Sequence, residues 1–135
     1  MIRLSRNANN VLVRVACAAA AVTAMSLSGG TASAATGAPY VGDGYSKNAT
    51  AVWCVQHLVN DFRRAAGRAA VAEDGVWGPQ TRSAVVDFQA NTDNTGPADG
   101  IVGPLTGRGL LNYDATDIYA GHGYCYSYLP TPSGF

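Results

Sequence analysis

One octapeptide pattern occurs twice and constrains everything else. Asp74-Gly75-Val76-Trp77-Gly78-Pro79-Gln80-Thr81 returns as Asp99-Gly100-Ile101-Val102-Gly103-Pro104-Leu105-Thr106, twenty-five residues later. Each copy opens on Asp-Gly, where glycine supplies the positive φ that tight turns often require. Each then places proline at the first position of a helix, where its missing N–H costs no hydrogen bond. After the first copy, Thr81, Ala84, Val85 and Phe88 recur at three- and four-residue steps, the spacing of one helical face. The pattern predicts a duplicated turn-plus-helix unit, with helices from about Pro79 to Ala90 and from Pro104 to about Asn112.

A further helix precedes the repeats. Val52, Val55, Leu58, Val59 and Phe62 form a continuous apolar stripe over residues 49–65. Gln56 adjoins the stripe, and Trp53 and His57, four apart, share a neighbouring face. Asn48 or Thr50 can cap this helix, and Gly67 marks its stop. Arg63, Arg64 and Arg68 lie at and beyond its end, where cations favour the helix dipole, and are expected to face solvent. Residues 35–48 are glycine-rich and aperiodic, and predict a flexible linker. Gly107 and Gly109 weaken the last helix by about 1 kcal/mol each relative to alanine, so Leu105, Leu110 and Leu111 are expected to hold it by burial. The tail, residues 113–135, concentrates Tyr113, Tyr119, Tyr124, Tyr126 and Tyr128. Gly121-His122-Gly123 predicts a turn there, followed by a short extended stretch from Tyr124 to Leu129.

The N-terminus reads as an export signal. Arg3, Arg6 and Arg14 precede an apolar run from Val15 to Leu27, and Ala32-Ser33-Ala34 offers a cleavage site. The run is too short to span a bilayer, which needs about 20 apolar residues. The segment 1–34 is therefore expected to be a signal peptide, leaving no membrane attachment after cleavage, and Cys17 is expected to leave with it. Two cysteines remain, Cys54 and Cys125. An even count in an exported chain predicts one disulfide. The competing reading is a nucleophilic cysteine paired with His57 or His122. Cys54, inside an apolar helical segment, is poorly placed to be a thiolate.

Charge narrows the partners. The 135 residues are formally neutral, but three of the nine basic groups fall in the leader. Residues 35–135 keep six basic against nine acidic groups, a net of −3. No basic patch remains to neutralise phosphates, so nucleic acid is not an expected partner. Catalysis finds little support either. His57 and His122 have no zinc-site spacing, so neither metal nor cofactor is expected. A glycosidase pair drawn from Glu73, Asp74 and Asp99 would begin with adjacent turn residues, which rarely flank a substrate.

Four linked motifs now stand in order: Val52-x-x-Val55-Gln56-x-Leu58-Val59, Asp74-Gly75-Val76-Trp77-Gly78-Pro79-x-Thr81, Ala84-Val85-x-x-Phe88-Gln89, and Asp99-Gly100-Ile101-Val102-Gly103-Pro104-x-Thr106. Over about residues 50–111 they resemble the peptidoglycan-binding domain of the PG-binding-1 type. The resemblance implies an all-α fold, a compact three-helix bundle of two turn-plus-helix repeats over residues 49–112. Here it carries an irregular, disulfide-stapled tail. It implies a secreted, non-catalytic, monomeric module associated with the cell wall, with peptidoglycan as partner and a cell-wall enzyme as a second one. The alternatives are an interaction or inhibitor protein on the same scaffold and a small wall hydrolase. Candidate ligand residues are Gln56, Asp74, Trp77, Thr81, Gln89 and Asp99, which surround the two turns. Each also has a structural role open to it: the aspartates within their own turns, the glutamines as loop braces, Trp77 in the core, Thr81 at its helix start. The family often carries tryptophan after the second threonine, where this chain has Gly107.

Overall fold

A computed structural model describes residues 37–135. The expected signal peptide and Cys17 lie outside the described residues. The described chain is all-α, with three helices and no strand: α1 (Ala49–Ala65), α2 (Pro79–Asn91) and α3 (Pro104–Tyr113). A single 3-10 turn, Tyr124–Ser127, follows in the tail.

α1 starts where its cap allows. Asn48 Oδ1 accepts from the backbone N–H groups of Thr50 and Ala51 at 3.0 and 3.1 Å, satisfying two donors that a helix start leaves free. Its apolar stripe is the centre of the core. Val52, Val55, Leu58 and Val59 are fully buried, and Phe62 nearly so. Burying each such side chain is worth about 1.5–3 kcal/mol. α2 contributes Ala84, Val85 and Phe88 to the same core, and α3 contributes Leu110 and Leu111. Phe62, Phe88 and Tyr113 meet edge to face, with centroids 5.5–5.9 Å apart, the geometry that the ring quadrupole favours.

α3 differs from expectation in one respect. Leu105 is exposed, and Thr106 and Gly107 are buried in its place. A Cβ on Gly107 would lie 2.0 Å from the carbonyl oxygen of Pro130. The tail thus runs directly over the bare backbone of α3. Where the family often has an aromatic ring, this chain packs its own Pro130.

The tail is tied down at several points. Cys54 and Cys125, 71 positions apart in sequence, form the expected disulfide, with Cα atoms 5.6 Å apart. On the chain-entropy model a loop of that size stabilises by about 4 kcal/mol. Leu129 is fully buried, and Gly121 N donates to the Leu111 carbonyl at 2.7 Å. The stretch from Tyr124 is not extended as expected. It closes into the 3-10 turn, with Tyr128 N bonded to the Cys125 carbonyl at 3.0 Å. No neighbouring strand is there to satisfy an extended backbone, so the segment satisfies itself.

Two further departures involve the ends of α1. Val41, within the stretch expected as linker, is fully buried and exchanges two backbone hydrogen bonds with Val102, at 3.1 and 2.9 Å. The arginines expected to face solvent have partners. Arg63 and Arg68 both pair with Asp87 of α2, and Arg64 pairs with Asp61. Arg63 also donates to the Ala69 carbonyl at 2.7 Å, which shapes the loop leaving α1.

Candidate functional site

The two turns are built the same way, each around a buried amide. Gln56, on α1, directs Nε2 at Asp74 Oδ1, the Val76 carbonyl and Thr81 Oγ1, all at 3.0 Å. Its Oε1 accepts from Gly75 N at 2.8 Å. Gln89, on α2, repeats the set. Its Nε2 faces Asp99 Oδ1, the Ile101 carbonyl and Thr106 Oγ1 at 3.3, 2.9 and 2.9 Å. Its Oε1 accepts from Gly100 N at 2.9 Å. Each aspartate also closes its own turn, accepting from the N–H two residues on: Val76 N at 3.0 Å and Ile101 N at 2.9 Å. This is the Asx-turn geometry. Gly75 and Gly100 hold φ of +72° and +78°, values that only glycine adopts without strain.

Gln56 and Gln89 are 1% and 5% exposed, and their amides are fully engaged inside the protein. Thr81 is buried beside Gln56 as its acceptor. Asp74 and Asp99 lie at the surface, with one carboxylate oxygen of each holding its turn. Val76 N and the Gln56 amide hold the Asp74 carboxyl below its ordinary value. Trp77 packs against the core with one face and donates its Nε1–H to Asp43 at 3.2 Å. The six residues therefore fall into two groups around two turns rather than one converging set.

The turns border two shallow clefts of similar size. One, of about 380 Å³, lies over Gln56, Asp74 and Thr81. The other, of about 390 Å³, lies over Gln89, Asp99 and Thr106, with Tyr40 at its edge. The repeat in sequence is thus a repeat of surface as well as of scaffold.

A third cleft, of about 430 Å³, involves residues that the motifs did not single out. It lies between α1, the first turn and the tail, and is lined by Trp53, Glu73, Asp74, Tyr119 and Tyr124 among others. Trp53 stacks on His57 at 4.9 Å and meets Tyr119 and Tyr124 edge to face at 5.3 and 6.4 Å. His57 bridges two carboxylates: Nδ1 lies 2.9 Å from Glu73 Oε2, and Nε2 lies 2.9 Å from Asp117 Oδ2. The spacing of Trp53 and His57 on one helical face was the sequence signal for this cluster. The contribution of the tail had none.

Burial alone would raise the Glu73 carboxyl. Hydrogen bonds from Asn60 and His57, with the charges of His57 and Arg64, outweigh it, and Glu73 ends below its ordinary value. Asn60 was also unforeseen. It is buried and exchanges two hydrogen bonds with the backbone of Val71, while its Nδ2 donates to Glu73 at 2.9 Å. Asp61 behaves in the opposite way. Burial and the neighbouring Asp117 carboxylate push it up, against the pull of Arg64. Its Oδ2 is buried without a partner.

Among the described residues no group of three or more His, Cys, Asp and Glu side chains is arranged to hold a metal ion. No helix among them is long and apolar enough to cross a membrane. Comparison with curated proteins and with solved structures finds no match. Comparison with family models does, and it falls on the braced repeat: residues 55–108 match the family described as "Putative peptidoglycan binding domain".

Proposed function

We propose that this protein is a secreted, non-catalytic module that binds bacterial peptidoglycan. The observation that carries the reading is the family match over residues 55–108, which takes in Gln56, both turns and, Tyr40 apart, the lining of both turn-bordering clefts. Exposed Asp74 and Asp99 and half-buried Trp77 are the contacts offered to the wall polymer. Gln56, Gln89 and Thr81 support them from beneath. Shallow clefts with a few hydrogen-bonding groups, the second edged by the Tyr40 ring, suit N-acetylated sugars and short peptides. The non-catalytic reading draws support from Glu73, the sole glutamate of the chain. Its two oxygens are taken up by Asn60 and His57, which leaves it poorly placed to transfer protons to a substrate.

Co-sedimentation with purified sacculi tests this. The protein is expected in the pellet across a series of salt concentrations, with no release of dye from labelled wall. A protein that stays in the supernatant throughout ends the binding claim, and dye release ends the non-catalytic one.

A further inference from the structure

The cleft between α1, the first turn and the tail differs in chemistry from the two that the repeat duplicates. Its wall combines three aromatic rings, Trp53, Tyr119 and Tyr124, with the carboxylates of Glu73 and Asp74. No lysine or arginine lines it. Arg64 lies 4.0 Å from Glu73 Oε1 but is paired with Asp61. His57 is the remaining basic group, and it lies between Glu73 and Asp117. Even a protonated imidazole would leave Glu73, Asp74 and Asp117 in excess by two charges. Aromatic faces and anions attract the same kind of ligand, a cation, the first through the ring quadrupole and the second directly. A neutral sugar would stack on the rings but leave the excess negative charge uncompensated, and an acidic ligand would be repelled.

We propose that this cleft binds an ammonium group on an aliphatic chain, with Trp53 and Tyr124 contacting the chain and Glu73 and Asp74 facing the charge. For its source the proposal rests on the peptidoglycan reading: the ligand is an unlinked side-chain amine of a wall peptide. Because Tyr119 and Tyr124 lie beyond the 55–108 match, the site belongs to the stapled tail of this chain. Cys125, next to Tyr124, holds it in place through Cys54.

The test has two arms, both with the oxidised protein. In the first, Nα-acetyl-lysine methylamide is titrated while the Trp53 indole N–H signal is followed by NMR. A saturable shift at Trp53 is expected. The Nε-acetylated probe should bind at least about tenfold more weakly, and Tyr124→Ala, at a position 52% exposed, should weaken binding at least about threefold. Glu73→Gln, which keeps an oxygen for the Asn60 bond, should do the same. No saturable shift, or equal binding of the acetylated probe, overturns the proposal. In the second arm, sacculi with acetylated amines should retain less protein than untreated sacculi. Equal retention overturns the wall source. Failure to pellet with untreated sacculi overturns the peptidoglycan reading and the wall source with it, while the probe titration still decides whether the cleft takes an ammonium group.

Discussion

Gln56 and Gln89 are the residues on which the fold turns. Each presents one buried amide to four groups of a turn that is distant in sequence. Replacing Gln56 by leucine keeps the volume, strands the Gly75 N–H, and leaves the Val76 carbonyl and Thr81 hydroxyl only their long 3.5 Å bond to each other. Unsatisfied buried groups cost about 1–3 kcal/mol each, so Gln56→Leu should lose at least about 2 kcal/mol in urea denaturation, and Gln89→Leu a similar amount. A change under about 0.5 kcal/mol in either would show that the brace is dispensable. The sequence made both glutamines candidates, since a polar residue at the edge of an apolar stripe invites either reading. Only their burial and partners separate bracing from binding. Protonation enters at the same scale. Glu73, Asp74 and Asp114 titrate below their ordinary values. The stability they add is present above the unfolded values, 4.5 and 3.8, and is lost as pH falls through the lower folded ones. Asp61 is raised, so its contribution is full below its unfolded value and is lost as pH rises through its folded one. Three depressed groups against one raised group predict a melting temperature that declines on acidification below about pH 5. The decline should be shallower in Glu73→Gln. A melting temperature that rises steadily from pH 5 to pH 3 would contradict this.

At the scale of elements, periodicity and turn chemistry made the helices legible to within about a residue at each end. Their apolar steps, the prolines at N1 and the asparagine cap are local signals, and local signals survive in a bare sequence. The tail is the opposite case. Nothing in its spacing indicates that Pro130 lies on Gly107, because that contact joins segments held together by a disulfide and by the burial of Leu129. Gly107 therefore looked like a weakness in α3 and is instead a close crossing of backbones. Gly107→Ala tests the difference. Helix propensity alone would make it stabilising by about 1 kcal/mol. A methyl group 2.0 Å from a backbone oxygen should instead destabilise by about 1–3 kcal/mol through overpacking. A higher urea midpoint for the alanine variant would mean that the tail does not cross α3 as described.

At the scale of the molecule, the two repeats supply two braced turns with similar clefts, and the tail supplies a third cleft of different character. The resemblance to the family followed from the repeats, whose motifs are sequential and dense, and the family model falls on them over residues 55–108. The candidate surface was only half legible, since Asp74 and Trp77 are named by the motif but Tyr119 and Tyr124 reach the first turn only after the chain has closed on Cys54. Wall binding is proposed for this braced face. The most direct measurement is an amide NMR titration of the ¹⁵N-labelled protein with soluble peptidoglycan fragments. Shifts should concentrate in residues 73–82 and 99–107 and saturate with ligand. An unchanged spectrum at saturating fragment, or shifts confined to the end of α1 and the loop after it, would contradict the account.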